Sequence, residues 1–189
     1  MKTFQGIKTY GYRREAVFKI ATTAGDAYMS ISRTNYMNDE RAVVEVDRAR
    51  FFELWKAEPY SIHRAQAHGD ERSWRSDYKF HHAVDGFSHG EPNPVPLANI
   101  SCLIAHERIP EIQSFLFFFR RKVGERLVDF PYVAFTNGVT RTIWLAAHHA
   151  ECFPVECDAK QAPLLQSLAG TEGSSWTTVE KLIPDASYA

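Results

Sequence analysis

The chain has 189 residues, 44% of them hydrophobic, enough to bury one proper core and most simply a single domain. A formal net charge of −1 excludes a generally basic nucleic-acid coat, so any DNA contact must rest on a local patch. Three cysteines, Cys102, Cys152 and Cys157, cannot all pair. The N-terminal stretch shows no apolar signal core, and the longest apolar run near the middle, Phe115 to Phe119, is far too short to span a bilayer. A cytoplasmic protein with reduced thiols and no membrane span is expected.

In chain order, Ala16–Ile20 and Ala27–Ile31 alternate around Thr23-Ala24-Gly25-Asp26, which predicts a β-hairpin. Ala42–Val46 is a further strand candidate. Asp47 is a plausible N-cap for a helix over 48–57, whose Phe51, Phe52, Leu54 and Trp55 supply an apolar face and which Pro59 ends. The polar stretch 60–75 reads as surface loop or short helix, and Ser76 to Val84 as helix-like. Two glycines and three prolines make 86–96 a loop. Ile100 to Ala105 reads as a strand, and Pro110 then opens a predicted helix over 111–127. On that helix Ile112, Phe115, Phe119, Val123 and Leu127 form one stripe. Phe117 and Phe118 point partly elsewhere, so the helix is either buried on most sides or leaves an aromatic patch for a partner. The last 20 residues look like a loosely held tail carrying Trp176.

The most informative segment runs from Val133 to Ala147. An apolar run stops at Thr136-Asn137-Gly138, a turn signal with a residue suited to positive φ, and a helix-like pattern begins at Thr142. Strand, glycine turn and helix N-terminus in succession leave backbone N–H groups unpaired at the positive end of a helix dipole. That is an anion site, suited to phosphate, and Arg141 adds a planar charged fork to it. Read on spacing alone, the same residues also make an ordinary tight turn with Arg141 at the surface. Ile143 and Trp144 face the core in either case.

Gly138-x-x-Arg141 with Ala146, closed by Phe153-Pro154-Val155 and preceded by Asn93-Pro94-Val95-Pro96-Leu97-Ala98, resembles the signature of the ParB/sulfiredoxin superfamily over roughly residues 43–158. The implied fold is a mixed α/β domain, a small sheet flanked by helices. It would carry an N-terminal β-rich extension over 1–42, the core over 43–158 and a C-terminal tail over 159–189. Val139 stands where a sulfiredoxin places its catalytic cysteine, so sulfinic acid reduction is excluded. No helix-turn-helix region accompanies the core, which sets aside a chromosome-partitioning role. The combination looks most like the plasmid-borne fertility-inhibition proteins of this superfamily, the Osa type.

That resemblance implies suppression of DNA transfer by a competing conjugation or T-DNA system, with ATPase and DNase activity. Asn137, Gly138, Val139, Thr140, Arg141 and Thr142 would hold the nucleotide, joined by Arg75 and Ser76, with Arg141, Thr140 and Lys79 in catalysis. Arg72, Arg75, Ser76 and Lys79 fall at i, i+3, i+4 and i+7, so one helical face would carry three cations and a hydroxyl. Arg72, Arg75 and Lys79 are the expected contacts to non-specific DNA; the alternative is a solvated face balanced by Asp70, Glu71 and Asp77. Mg²⁺ arriving with ATP is the expected metal, with Asp77, Asp85, Glu91 and Glu107 as candidate ligands among which the sequence does not choose. The rival reading is a non-enzymatic inhibitor that occludes components of a type IV secretion or coupling system by protein contact.

Overall fold

The structure, a computed structural model, describes residues 1–115 and 119–185, and of residues 111–115 and 119–123 the backbone alone. Alternating sequence builds the first sheet. Strands β1 (Phe4–Tyr10), β2 (Arg13–Thr22) and β3 (Gly25–Ser32) form an antiparallel meander. The predicted hairpin is present, with Thr22 opposite Gly25 and Gly25 at φ +105°. The two-residue strand β5 (Val95–Pro96) adds to β3 in parallel.

The second sheet is centred on β4 (Arg41–Asp47), whose Ala42, Val43, Val44 and Val46 are wholly buried. β4 pairs antiparallel with β8 (Cys152–Asp158), which lies parallel to the start of β6 (Ala98–Phe115). β7 (Phe119–Asn137) closes one side and β9 (Thr177–Thr178) the other, in the order β7-β6-β8-β4-β9. Helix α1 (Arg48–Lys56) starts where Asp47 accepts a hydrogen bond from the Arg50 N–H, as its cap position predicts. Its Phe51 and Trp55 pack edge-on against Phe135 of β7. The mixed α/β class expected from the sequence is the one observed: two sheets flanked by helices.

Two expectations fail. Residues 111–115 and 119–127 form strands, not the predicted helix. β6 continues past Pro110 and pairs with β7 out to Phe115 opposite Phe119. Proline lacks only an N–H and is tolerated on a strand whose outer edge has no partner; β6 meets β8 only at Ala98 and Asn99. The side-chain roles predicted for Ile112, Phe115, Phe117, Phe118, Phe119 and Val123, and for the basic run Arg120, Arg121 and Lys122, lie outside the described residues. Nor is the expected tail, as far as residue 185, loosely held. Helix α6 (Ala162–Ala169) begins with a proline in its first turn and buries Leu165, while α7 (Val179–Leu182) buries Val179 beside β4.

Glu45 marks the centre of the second sheet. Its side chain is fully buried, and its oxygens accept from the Lys2 and Thr3 N–H groups and from the Thr3 and Thr171 hydroxyls. Burial alone would raise the carboxyl's pKa; those hydrogen bonds outweigh it and the net shift is downward.

Candidate functional site

β7 delivers the chain to Gly138, which is buried and left-handed at φ +101°. A Cβ there would stand 2.6 Å from the Ala98 Cβ and 2.7 Å from its Cα, so both conformation and space demand glycine. Helix α5 (Val139–Ala147) starts at once, with no side chain capping it. Thr142 is its first residue bonded back, its N–H and hydroxyl donating to the Gly138 carbonyl at 3.0 and 3.1 Å. The amides of the preceding turn therefore have no acceptor within the helix. Thr142 is 1% exposed and faces the interior, which removes its hydroxyl from the proposed cradle.

The turn forms one wall of an open cavity of about 660 Å³, to which Thr136, Asn137, Gly138, Val139, Thr140 and Arg141 contribute. The opposite wall comes from two short elements. One is the start of α2 (Arg64–Ala67), through His63 and Gln66. The other is the turn Asp77-Tyr78-Lys79 between α3 (Glu71–Arg75) and α4 (Phe80–Ser88). Gln66 Nε2 donates to Asp77 Oδ2 at 2.9 Å, and the Lys79 N–H donates to Asp77 Oδ1 at 2.8 Å, which fixes that wall. Trp144 of α5 stacks on Phe87 of α4 at 4.2 Å and locks the two walls together.

Electrostatics single out Arg141. Its guanidinium has no hydrogen-bond or ion-pair partner among the described residues, and burial lowers its pKa. A half-buried cation without an anion is a costly arrangement that an anionic ligand relieves. Lys79 stands at the N-cap position of α4 with its side chain exposed and no hydrogen-bond or ion-pair partner among the described residues.

The other predicted cations go elsewhere. Ser76 ends α3 and Lys79 begins α4, so no continuous helical face carries Arg72, Arg75, Ser76 and Lys79 together. Arg72 is exposed away from the cavity lining. The Ser76 hydroxyl donates to the Ser73 carbonyl. Arg75 pairs with Glu71 at 2.9 Å, donates to the Ala147 carbonyl at 3.1 Å and meets His148 Nε2 at 3.1 Å. It caps the negative end of α5, on the far side from the cradle.

Of the four candidate carboxylates, Asp77 alone lines the cavity. Glu91 is paired with Lys8, while Asp85 and Glu107 are exposed elsewhere. No group of three or more His, Cys, Asp or Glu side chains is placed to hold a metal among the described residues. Asp77 fits the lesser task of meeting a hydrated Mg²⁺ carried by a phosphate. Sequence reasoning missed Ile62, His63, Gln66 and Tyr78, all of which line the cavity. No local signal marks them, since packing of α2 on α1 and of α3 and α4 on α5 brings them in.

Residues 43–170, more than half of the sequence, match the plasmid fertility inhibition factor family, and the chain belongs to that family. Among its relatives is Protein osa of Shigella flexneri, 26% identical over 130 residues, which are 69% of this chain and 54% of that protein. The chain thus spans about half the length of that relative. The fold is similar to the crystal structure of Oncogenic Suppression Activity Protein, a plasmid fertility inhibition factor, in its gold(I) cyanide derivative. That likeness has a TM-score of 0.66 at 25% identity and covers 93% of this chain and 79% of the other.

Proposed function

We propose that this chain suppresses DNA transfer by a competing conjugation or T-DNA system, and that it does so by binding a phosphate ligand, ATP, in the cradle of α5. The observation that carries this reading is Arg141, half-buried and without an anionic partner among the described residues, beside the free amides of a helix N-terminus. The cavity volume suits a nucleotide. The chemistry that fits is attack on phosphorus: water adds to the terminal phosphorus, the bond to the leaving phosphate oxygen breaks, and negative charge builds on the non-bridging oxygens. The Thr140 and Arg141 amides, the Arg141 guanidinium and Lys79 face that charge. A divalent cation, when bound, screens the phosphates, with Asp77 as the carboxylate to receive it. Cleavage of non-specific DNA in the same cleft would use the same groups on a phosphodiester.

Purified protein should hydrolyse ATP in the presence of Mg²⁺ and stop when the metal is chelated. Arg141→Ala should lose turnover and transfer inhibition together. An Arg141→Ala variant that still blocks transfer, from a protein with no turnover, would refute the hydrolytic reading.

The non-enzymatic reading has its own observation. Beyond Cys102, whose N–H donates to Gln161 Oε1, the two strands of the β6–β7 arm pair only with each other among the described residues. It leaves Leu103 and Ile109 exposed on one face and Ile104 and Leu127 on the other. Unpaired edges flanked by apolar side chains suit occlusion of a transfer-machinery component by strand addition. Replacing those four residues with serine should abolish transfer inhibition while sparing ATP turnover if this reading holds.

A further inference from the structure

Resting on the nucleotide reading above, we infer that Tyr78, at the same rim as Ile62, is the platform on which the base of the bound nucleotide stacks. Both side chains stand largely in water, 77% and 90% exposed, yet both line the cavity whose other wall is the cradle. Neither ring nor aliphatic branch is used by the core, so packing does not account for large apolar groups at this rim. The backbone that carries Tyr78 is held firmly. Asp77 before it accepts from Gln66, and Lys79 after it donates to Asp77.

Lys79 Nζ lies 5.3 Å from the centroid of the Tyr78 ring. The ammonium sits over one face of the ring, which leaves the opposite face for a base and keeps a cation close by for its phosphate charge. The edge of a base would find partners as well. Gln66 Oε1 and the ring nitrogens of His63 and His82 have no hydrogen-bond partner among the described residues. These three line the same cavity. Phosphate groups at Gly138–Arg141 and an aromatic face across the cavity thus divide the site into a charged and a stacking half. The stacking half gives the site its preference for nucleotides over plain polyphosphate.

Calorimetric titration of the full chain with ATP and with tripolyphosphate, both with Mg²⁺, tests this. The wild type should bind ATP about tenfold more tightly than tripolyphosphate, the scale of one stacked base. Tyr78→Ala should lose that factor for ATP and leave tripolyphosphate unchanged, while Tyr78→Phe should retain it. Arg141→Ala should weaken both ligands. Equal wild-type affinities, or a Tyr78→Ala variant that weakens both ligands in parallel, would overturn the platform while leaving the cradle standing. Failure of the wild type to bind either ligand would overturn the cradle, and the platform with it.

Discussion

Gly138 lies so close to Ala98 that the end of β7 and the start of β6 meet with only the Ala98 methyl between them. The glycine also holds φ +101°, so two separate constraints act on one residue. Gly138→Ala should therefore cost on the order of 2–4 kcal/mol, combining left-handed strain with overpacking. Denaturant unfolding measures it. A variant as stable as the parent would mean the turn relaxes freely.

Arg141→Ala should behave in the opposite way. Its guanidinium makes no internal bond among the described residues, so removal should leave stability unchanged or slightly improved. Binding of a phosphate ligand should fall by about 1.5–3 kcal/mol, one charge-assisted hydrogen bond. Thermal melts beside calorimetric titration separate the two effects.

Arg75 and Lys79, which the sequence places on one face, should part company. Arg75→Glu breaks the hydrogen bonds to Ala147 and His148 and should destabilise α5. Lys79→Glu should leave the melting temperature alone and weaken phosphate and DNA binding, flattening the salt dependence by roughly 0.7–0.9 in slope for each DNA phosphate no longer neutralised. Equal loss of stability in both variants would contradict the division.

How much of the molecule is legible in its sequence depends on the range of the forces involved. The N-terminal hairpin, the Asp47 cap and the Gly138 turn are decided within a few residues, and each lies where the sequence puts it. The β6–β7 arm is not legible in this way, because Ile112, Phe115, Phe119, Val123 and Leu127 fall at helical spacing while their state is set by pairing across the hairpin. Pro110 reinforces the helical pattern, being as acceptable opposite Glu125 on an unpaired edge as at a helix start. The site is half legible: Gly138 and Arg141 form a local pattern, whereas His63, Gln66, Tyr78 and His82 reach the cavity only through helix packing.

Glu45 makes a pH prediction. Its native pKa lies below the ordinary 4.5, so folding favours the ionised form. The sign follows: its contribution is complete above that ordinary value and disappears as pH falls through the lowered native one. Glu45→Gln should cost about 3 kcal/mol near neutrality, the scale of hydrogen bonds to a charged group, and the difference from wild type should shrink on acidification. Urea midpoints across that acid range are the measurement.

The thiols should be inert. Burial pushes Cys102 up to about 11 and Cys157 up to about 12, so neither is a thiolate at neutral pH. A thiol reagent should label these two only on unfolding, and the triple Cys→Ala variant should keep its phosphate binding.

Glu45 also bears on synthesis. The strand that carries it is made early, but its neighbours in the sheet, β8 and β9, and the hydroxyl of Thr171 come from residues 152–178. While those residues are still inside the ribosome, β4 has no strand on either side. Its carboxylate lacks one of the donors that make burial tolerable. The N-terminal meander can pair as it emerges, because its pairings are between successive strands. The second sheet cannot, and its assembly must wait until residues 152–178 have emerged. Shortening the chain before residue 171 should therefore yield a product recognised by chaperones and proteases, with β4 exposed, rather than a smaller folded domain.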